Sequence, residues 1–384
     1  MIRRAVALVA AAALLPACSW FKSPTKDNID PPAELTDFDQ SLGVDTLWKR
    51  DLGDGAAKAG LRLRPAFAGG RVFASDIEGR VTAMDAASGN VAWSAEVGKG
   101  VGTTPGLGDD MVVVGTLDGE VVALSQADGS EMWRTKVSSE VIAAPAIRDG
   151  LVVVRSHDGR LFGLSGSDGS RRWVFDRGVP LLSLRGNGAP VIDGGMIYVG
   201  YDNGKVVALK AEDGSLAWEQ ALTQSEGRTE LERMIDVDGE MAFDDAEVYA
   251  VTYRGQVGAM ARDNGRPLWS RDLSSYGGVA LSGNRLYVSD ANGVLWALDT
   301  NGGNTVWKQE GLLHRYLSTP AVVGDYVVVG DFEGFVHWYK AETGDLLARQ
   351  RVGKEAIRTA PLVVGDTVYI ANADGEIAAL KPRS

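Results

Sequence analysis

An all-β fold, a closed β-propeller of eight four-stranded antiparallel blades, is what the sequence predicts. Three observations predict it. A unit of about 40 residues recurs and ends in tryptophan, turn dipeptides fall at hairpin spacing inside each unit, and the last unit lacks a strand that an unmatched segment near the start can supply. A period of this length belongs to stacked or radial architectures, in which every unit buries its apolar faces on its neighbours.

The unit is clearest from Pro105 to Trp133, Pro145 to Trp173 and Pro190 to Trp218, and the same frame fits Pro65 to Trp93. Met241 to Trp269, Val279 to Trp307 and Pro320 to Ala348 follow it with the leading Pro or the closing Trp replaced. Within a unit, β-rich runs such as the valines after Met111 alternate with Asp118-Gly119 and Asp128-Gly129, dipeptides that tolerate positive φ and so suit tight hairpins. The valine runs show little polar alternation, which implies sheets covered on both faces. A linear stack would leave two apolar end faces needing atypical capping repeats, and neither end has one. The last unit, from Pro361, ends after three strands without a Trp, whereas Thr46-Leu47-Trp48-Lys49 reads as a lone fourth strand. Its addition to the last blade would close the ring, remove every free sheet edge and make the count eight.

Ahead of residues 42–384, the expected propeller, stand two other segments. Residues 1–17 read as a signal peptide, with Arg3 and Arg4 before the apolar run from Ala5 to Leu15, too short to span a bilayer with ease. Leu15-Pro16-Ala17-Cys18 resembles a lipobox, so Cys18 is the expected lipidation site. A plain signal peptide cleaved elsewhere is the alternative. Residues 18–41, with Pro24, Pro31 and Pro32, read as a flexible tether. Ser19 in place of an acidic residue resembles the outer-membrane sorting signal of Gram-negative lipoproteins. One cysteine excludes an internal disulfide, and a formal net charge of −12 argues against nucleic acid or an anionic lipid surface as partner.

Little in the chain suggests chemistry. His157, His314 and His337 lie in different units without metal-ligand spacing, and the stretch from Asp236 to Glu240 lacks the third ligand and closing Glu of a calcium loop. No nucleophile elbow, phosphate loop or dinucleotide fingerprint is present, so no catalytic residue, metal or cofactor is expected. Ala83 to Trp93, repeated at Ala123 to Trp133 and Ala208 to Trp218, resembles the tryptophan-docking motif of the eight-bladed quinoprotein dehydrogenases. There the motif is structural, so the resemblance implies fold rather than cofactor, and the vicinal disulfide of their quinone site is absent. A quinone-dependent dehydrogenase nevertheless stands as one alternative function.

The repeat lengthens twice, between Trp173 and Trp218 and between Trp218 and Trp269. The first insertion holds Val179 to Gly186 with the stretch Leu182-Ser183-Leu184-Arg185-Gly186; the second holds Arg228 to Asp238, ending in Asp236-Val237-Asp238. Loops of mixed apolar and charged residues on a rigid scaffold are where recognition tends to reside. With the lipobox, the blades and Leu312-Leu313-His314-Arg315, these stretches resemble the BamB family, lipoproteins of the outer-membrane β-barrel assembly machinery. The resemblance spans essentially the whole chain after the leader. It implies a periplasmic scaffold on the outer membrane of a Gram-negative bacterium, lipid-anchored, that binds the periplasmic domains of the barrel-forming subunit BamA and assists folding and insertion of outer-membrane proteins. Direct contact with unfolded clients is left open. The family's partner-binding positions fall on Leu182, Leu184, Arg185, Asp236 and Asp238. Arg185 could pair with the partner or with the two acids; the sequence does not choose. A generic propeller binding another envelope component is the remaining alternative.

Overall fold

Hairpin chemistry builds each blade from its inner strand outwards. The computed structural model describes residues 30–53, 55, 60–177, 188–222, 236, 237 and 239–383. Among them are eight four-stranded antiparallel sheets, whose inner strands touch their neighbours around a ring; numbered in chain order, blades 1 to 8 have inner strands that begin at Ala66, Gly106, Ala146, Val191, Ala242, Val279, Ala321 and Leu362. In blade 2, Gly106–Gly108, Met111–Gly115, Glu120–Ser125 and Glu131–Lys136 follow one another in chain order. Met111–Gly115 is buried throughout, as the unbroken valine run requires, while the outer strand is buried only at Trp133. Alternation along the strands divides the core between neighbours: Val112, Val114, Val122 and Leu124 pack on blade 1, and Met111, Val113, Val121 and Ala123 pack on blade 3.

The repeating tryptophan joins blades. Trp133 donates its indole N–H to the Gly166 carbonyl of blade 3 at 2.7 Å, and the same bond runs from Trp48, Trp93, Trp173, Trp218, Trp269 and Trp307 to the next blade. A register shift beside each Trp, such as that at Ala123/Leu124, turns the indole towards its acceptor. The glycine of the receiving turn has two reasons to be glycine: Gly129 has φ of 76°, and a Cβ there would stand 2.5 Å from the Trp93 ring.

Blade 7 departs from this scheme. Ala348 occupies the docking position and faces Trp338 on the adjacent strand, the reverse of Ala123 facing Trp133 in blade 2. Trp338 fills the core between blades 7 and 8, conserving volume where the usual indole is missing. The third and fourth strands of blade 8 come from opposite ends of the chain, so no hairpin turn exists there to receive an indole N–H. The Trp338 Nε1 is accordingly buried without a hydrogen-bond partner.

Blade 8 is the split blade that the sequence predicts. Val44–Asp51 lies antiparallel on Glu376–Pro382, from Val44 opposite Pro382 to Asp51 opposite Glu376, followed inwards by Thr367–Ala371 and Leu362–Val364. The contact of the N-terminal segment begins earlier than the expected propeller boundary at residue 42. Ala33 donates its N–H to the Leu313 carbonyl at 2.8 Å, Arg349 donates to the Thr36 carbonyl at 2.7 Å and lies over the Phe38 ring, and Ser41 and Leu42 both bond to the Leu347 carbonyl.

Candidate functional site

Antiparallel order places two kinds of loop on one face of the ring: the turn between the second and third strands of a blade, and the connection from its outer strand to the next blade. Both insertions are connections of the second kind. One follows Arg171–Phe175 and leads to Val191–Asp193; the other follows Leu216–Ala221 and leads to Ala242–Phe243. Of the five sequence-predicted partner-binding residues, Leu182, Leu184, Arg185 and Asp238 lie outside the described residues, as does Cys18. Asp236 is buried at 1 % exposure, and its carbonyl accepts the Tyr253 N–H at 3.1 Å.

The residues flanking both insertions converge on the turn Tyr201 to Gly204 of blade 4. Leu222 donates its N–H to Gly204 at 2.9 Å and Val237 donates to Tyr201 at 3.2 Å. Arg155 reaches from blade 3, donating to the carbonyls of Gly188 at 3.2 Å and Gly200 at 2.9 Å and to the Asp202 carboxylate at 2.6 Å. Arg155 and Asp202 are both almost wholly buried, so each charge depends on the other. The Tyr201 ring lies 4.9 Å from the Arg155 guanidinium and 5.7 Å from that of Arg177. Arg177 pairs through Nη1 and Nη2 with the two carboxylate oxygens of Glu219, which also receives Lys205. The Arg177 hydrogen bonds, against a smaller effect of burial and with help from Lys205, hold the Glu219 carboxyl at about 2. Burial pushes the Tyr201 phenol up to about 12 despite the two arginines.

Residues 61–64 cross the ring on this face. Leu61 is buried with Ile142, against Leu63, Ile77 and Leu117. Arg62 donates to the Tyr276 carbonyl at 2.9 Å, and Arg64 pairs with Glu240 at 2.6 Å while donating to the Pro361 carbonyl at 3.2 Å. Arg64 precedes blade 1 and Glu240 precedes blade 5, its diametric opposite, so this pair is a strut across the axis.

Leu312-Leu313-His314-Arg315, read in the sequence beside the two loop motifs, has structural contacts. Leu312 packs in the core between blades 6 and 7. Arg315, 3 % exposed, donates to the fully buried Asp331 at 2.8 Å and to the Ala33 carbonyl at 3.0 Å, and pairs with Glu333. Asp331 also meets the Nε2 of buried His337 at 3.0 Å. Among the described residues no group of three or more His, Cys, Asp or Glu side chains is placed to hold a metal ion. The sequence reading missed Arg155 and Arg177, though Arg155 leaves a signal: a charge ending the run Leu151-Val152-Val153-Val154 has no solvent to reach if the strand is buried throughout.

Comparison with known proteins agrees with the fold. A model of the family "Outer membrane protein assembly factor BamB" matches residues 33–130, 77–309 and 311–384. The chain is similar to a protein of that name from Xanthomonas campestris, 42 % identical and covering 98 % of this chain and 97 % of the relative. The crystal structure of BamB from Moraxella catarrhalis superimposes with a TM-score of 0.81 at 25 % identity, over 88 % of this chain and all of that one. Quinohemoprotein alcohol dehydrogenase from Comamonas testosteroni superimposes with a TM-score of 0.70 at 16 % identity, over 88 % of this chain and 76 % of that one, a likeness of fold alone.

Proposed function

The chain belongs to the BamB family of outer membrane protein assembly factors, and from that premise we propose that it is a non-enzymatic periplasmic scaffold that binds the periplasmic domains of the barrel-forming subunit BamA. One observation supports this most: the two insertions leave consecutive blades on one face, and the residues that flank them are tied to a single turn. In this reading Leu182 and Leu184 bury apolar area on the partner at about 25 cal/mol per Å², and Arg185 supplies charge-assisted hydrogen bonds. The burial of Asp236 favours an indirect part for it in binding over direct contact with the partner. The Arg64–Glu240 strut favours a scaffold over a quinone enzyme, because a ligand on the axis at this face would have to displace it.

The test is the affinity of the purified protein for the partner's periplasmic domains. Leu184→Ala and Arg185→Glu are each expected to weaken binding by about 1–3 kcal/mol, the range of central contact residues, at little change in melting temperature. Unaltered affinity in both variants would overturn the site. A large fall in melting temperature would instead make these residues part of the propeller's own packing.

The same proposal includes the anchor. Cleavage after residue 17 would leave Cys18 as the lipidated N-terminus; the hydrogen bonds to the propeller described for the N-terminal segment begin at Ala33, and fifteen residues, 18–32, span at most roughly 50 Å when fully extended. Cys18→Ala is expected to release the protein into the soluble periplasm or stall its processing. Fractionation of cells lacking the partner checks this, and persistence of the variant in the outer membrane would count against the lipid as anchor.

A further inference from the structure

Seven of the eight junctions between blades carry a docking indole, from Trp48 between blades 8 and 1 to Trp307 between blades 6 and 7. The junction of blades 7 and 8 lacks one, because Ala348 stands at the donor position and the split blade has no hairpin turn to receive an indole. Trp338 restores volume on the third strand of blade 7, but the outer strand keeps only a methyl group there. Leu42 joins the same core. It is 7 % exposed and packs between blades 7 and 8 in one cluster with Ala348 and Trp338. Its N–H and that of Ser41 both donate to the Leu347 carbonyl, at 3.2 and 2.9 Å, so the N-terminal segment supplies the contact that a docking residue supplies elsewhere.

The course of the chain ahead of Leu42 follows from that docking. Val44 pairs with Pro382 at the face opposite the insertions, so a chain that began with the outer strand of blade 8 would leave the ring on that face. Residues 33–42 instead run back along Leu346–Arg351, the outer strand of blade 7. Ser41 and Leu42 lie at Leu347, near the start of that strand. Farther along it, the Gln40 side chain accepts the Arg349 N–H at 3.2 Å, and the Arg349 side chain donates to the Thr36 carbonyl at 2.7 Å and lies over the Phe38 ring. Leu35 packs on the core between blades 6 and 7, and Ala33 bonds to Leu313 and Arg315. These last two residues belong to the connection from blade 6 to blade 7, on the face of the insertions. Residues 33–42 extend to at most roughly 33 Å and the strand they follow to roughly 20 Å, so the segment is long enough to take the chain from one face to the other.

We infer that residues 33–42 are a strap that fixes where the N-terminus leaves the propeller, moving the exit from the face opposite the insertions to the face that bears them. The strap thereby decides which face the anchor draws towards the membrane. This rests on the reading of the N-terminus as the membrane-anchored end. An exit on the opposite face would put the thickness of the ring between the anchor and the insertion face. An exit on the insertion face leaves the whole tether for reach, and so raises the effective concentration of that face towards a partner in the same membrane.

Energy transfer from each face to a membrane tests the strap. The chain from Ser19, with an N-terminal hexahistidine tag, is bound to phosphatidylcholine vesicles that contain a nickel-chelating lipid and a rhodamine lipid as acceptor. Without Cys18 this chain has no native thiol, so a donor dye can be placed at Asn292→Cys, on the insertion face of blade 6, or at Asn301→Cys, on its opposite face; both side chains are exposed. Transfer is expected to be higher from Asn292→Cys than from Asn301→Cys. In a chain that starts at Leu42, joined to the tag by a Gly/Ser spacer as long as the residues it replaces, the order is expected to reverse. Should that chain fail to fold, Leu35→Ser combined with Phe38→Ser removes the strap's own apolar contacts and is expected to narrow the difference. Equal transfer from the two sites in the parent overturns the inference, and so does an insertion-face preference that survives in the folded strapless chain or is undiminished in the double variant. Attachment through the tag makes this result independent of lipidation, so the strap and the Cys18 anchor can each fail without the other.

Discussion

Deletion of residues 44–51 is expected to lower the stability of the propeller by about 5 kcal/mol or more, a large part of the 5–15 kcal/mol that ordinary domains possess. The deletion removes the outer strand of blade 8 along its whole pairing with Glu376–Pro382. It also removes Trp48, which is buried against Tyr369 at 5.8 Å and donates to the Ala86 carbonyl at 2.9 Å, leaving that acceptor only the Tyr369 hydroxyl. The exposed edge would carry free N–H and C=O groups beside Ile377 and Ala379, a template for pairing between molecules. Urea unfolding and size-exclusion chromatography read both effects. Deletion of residues 19–32, which stops short of the Ala33 contact, is the control and is expected to change neither. Coincident unfolding curves for the two deletions would mean that the strand does not close the ring energetically.

Arg315→Met is expected to cost about 3–5 kcal/mol, because it leaves the carboxylate of Asp331 buried without its cation. Burial disfavours the Asp331 charge, yet His337, the Phe335 amide and Arg315 together hold its carboxyl below the ordinary carboxylate range. The same change frees the Ala33 carbonyl, so limited proteolysis ahead of residue 42 should quicken. The cluster also predicts the direction of a pH effect. Burial holds the His337 imidazole below its ordinary value of 6.5, only partly opposed by Asp331. The neutral ring donates from Nε2 to Asp331 and leaves Nδ1 a buried atom without a partner, so a proton added there finds no acceptor. A group depressed on folding contributes stability that is complete above its unfolded value and is lost as the pH falls below it. Melting temperature should therefore decline from about pH 6.5 downwards, and His337→Gln, which keeps a donor for Asp331, should flatten that decline. An Arg315→Met protein that melts like the parent would remove the cluster from the account of stability.

The proposed loop assignment rests on a different reason from the fold. Leu182, Leu184, Arg185 and Asp238 stand out because they interrupt a repeat, and the role proposed for them comes from resemblance to a family. Leu312 to Arg315 entered through the family resemblance alone, and Leu312 and Arg315 pack within the propeller, since a resemblance marks a special place without saying whether the partner is solvent, another protein or the chain itself. The contacts of Tyr201 were not legible, because they depend on Arg155 and Arg177, contributed by another blade.

Strand count, turn positions, docking tryptophans and the split blade were all present in the sequence, because each rests on interactions between neighbours in the chain or on a pattern repeated often enough to read. Hairpin glycines, valine runs and the spare Trp48 strand are of this kind. What only the tertiary structure decided are the contacts made when the ring closes: Trp338 replacing an indole at Ala348, Arg64 spanning the axis to Glu240, Arg315 holding Ala33, and the contacts of Arg177 and Val237 with Tyr201. Each occurs once, between residues brought together by closure. Contacts of that kind impose no period on the chain, and their partners become known only when every blade has taken its place.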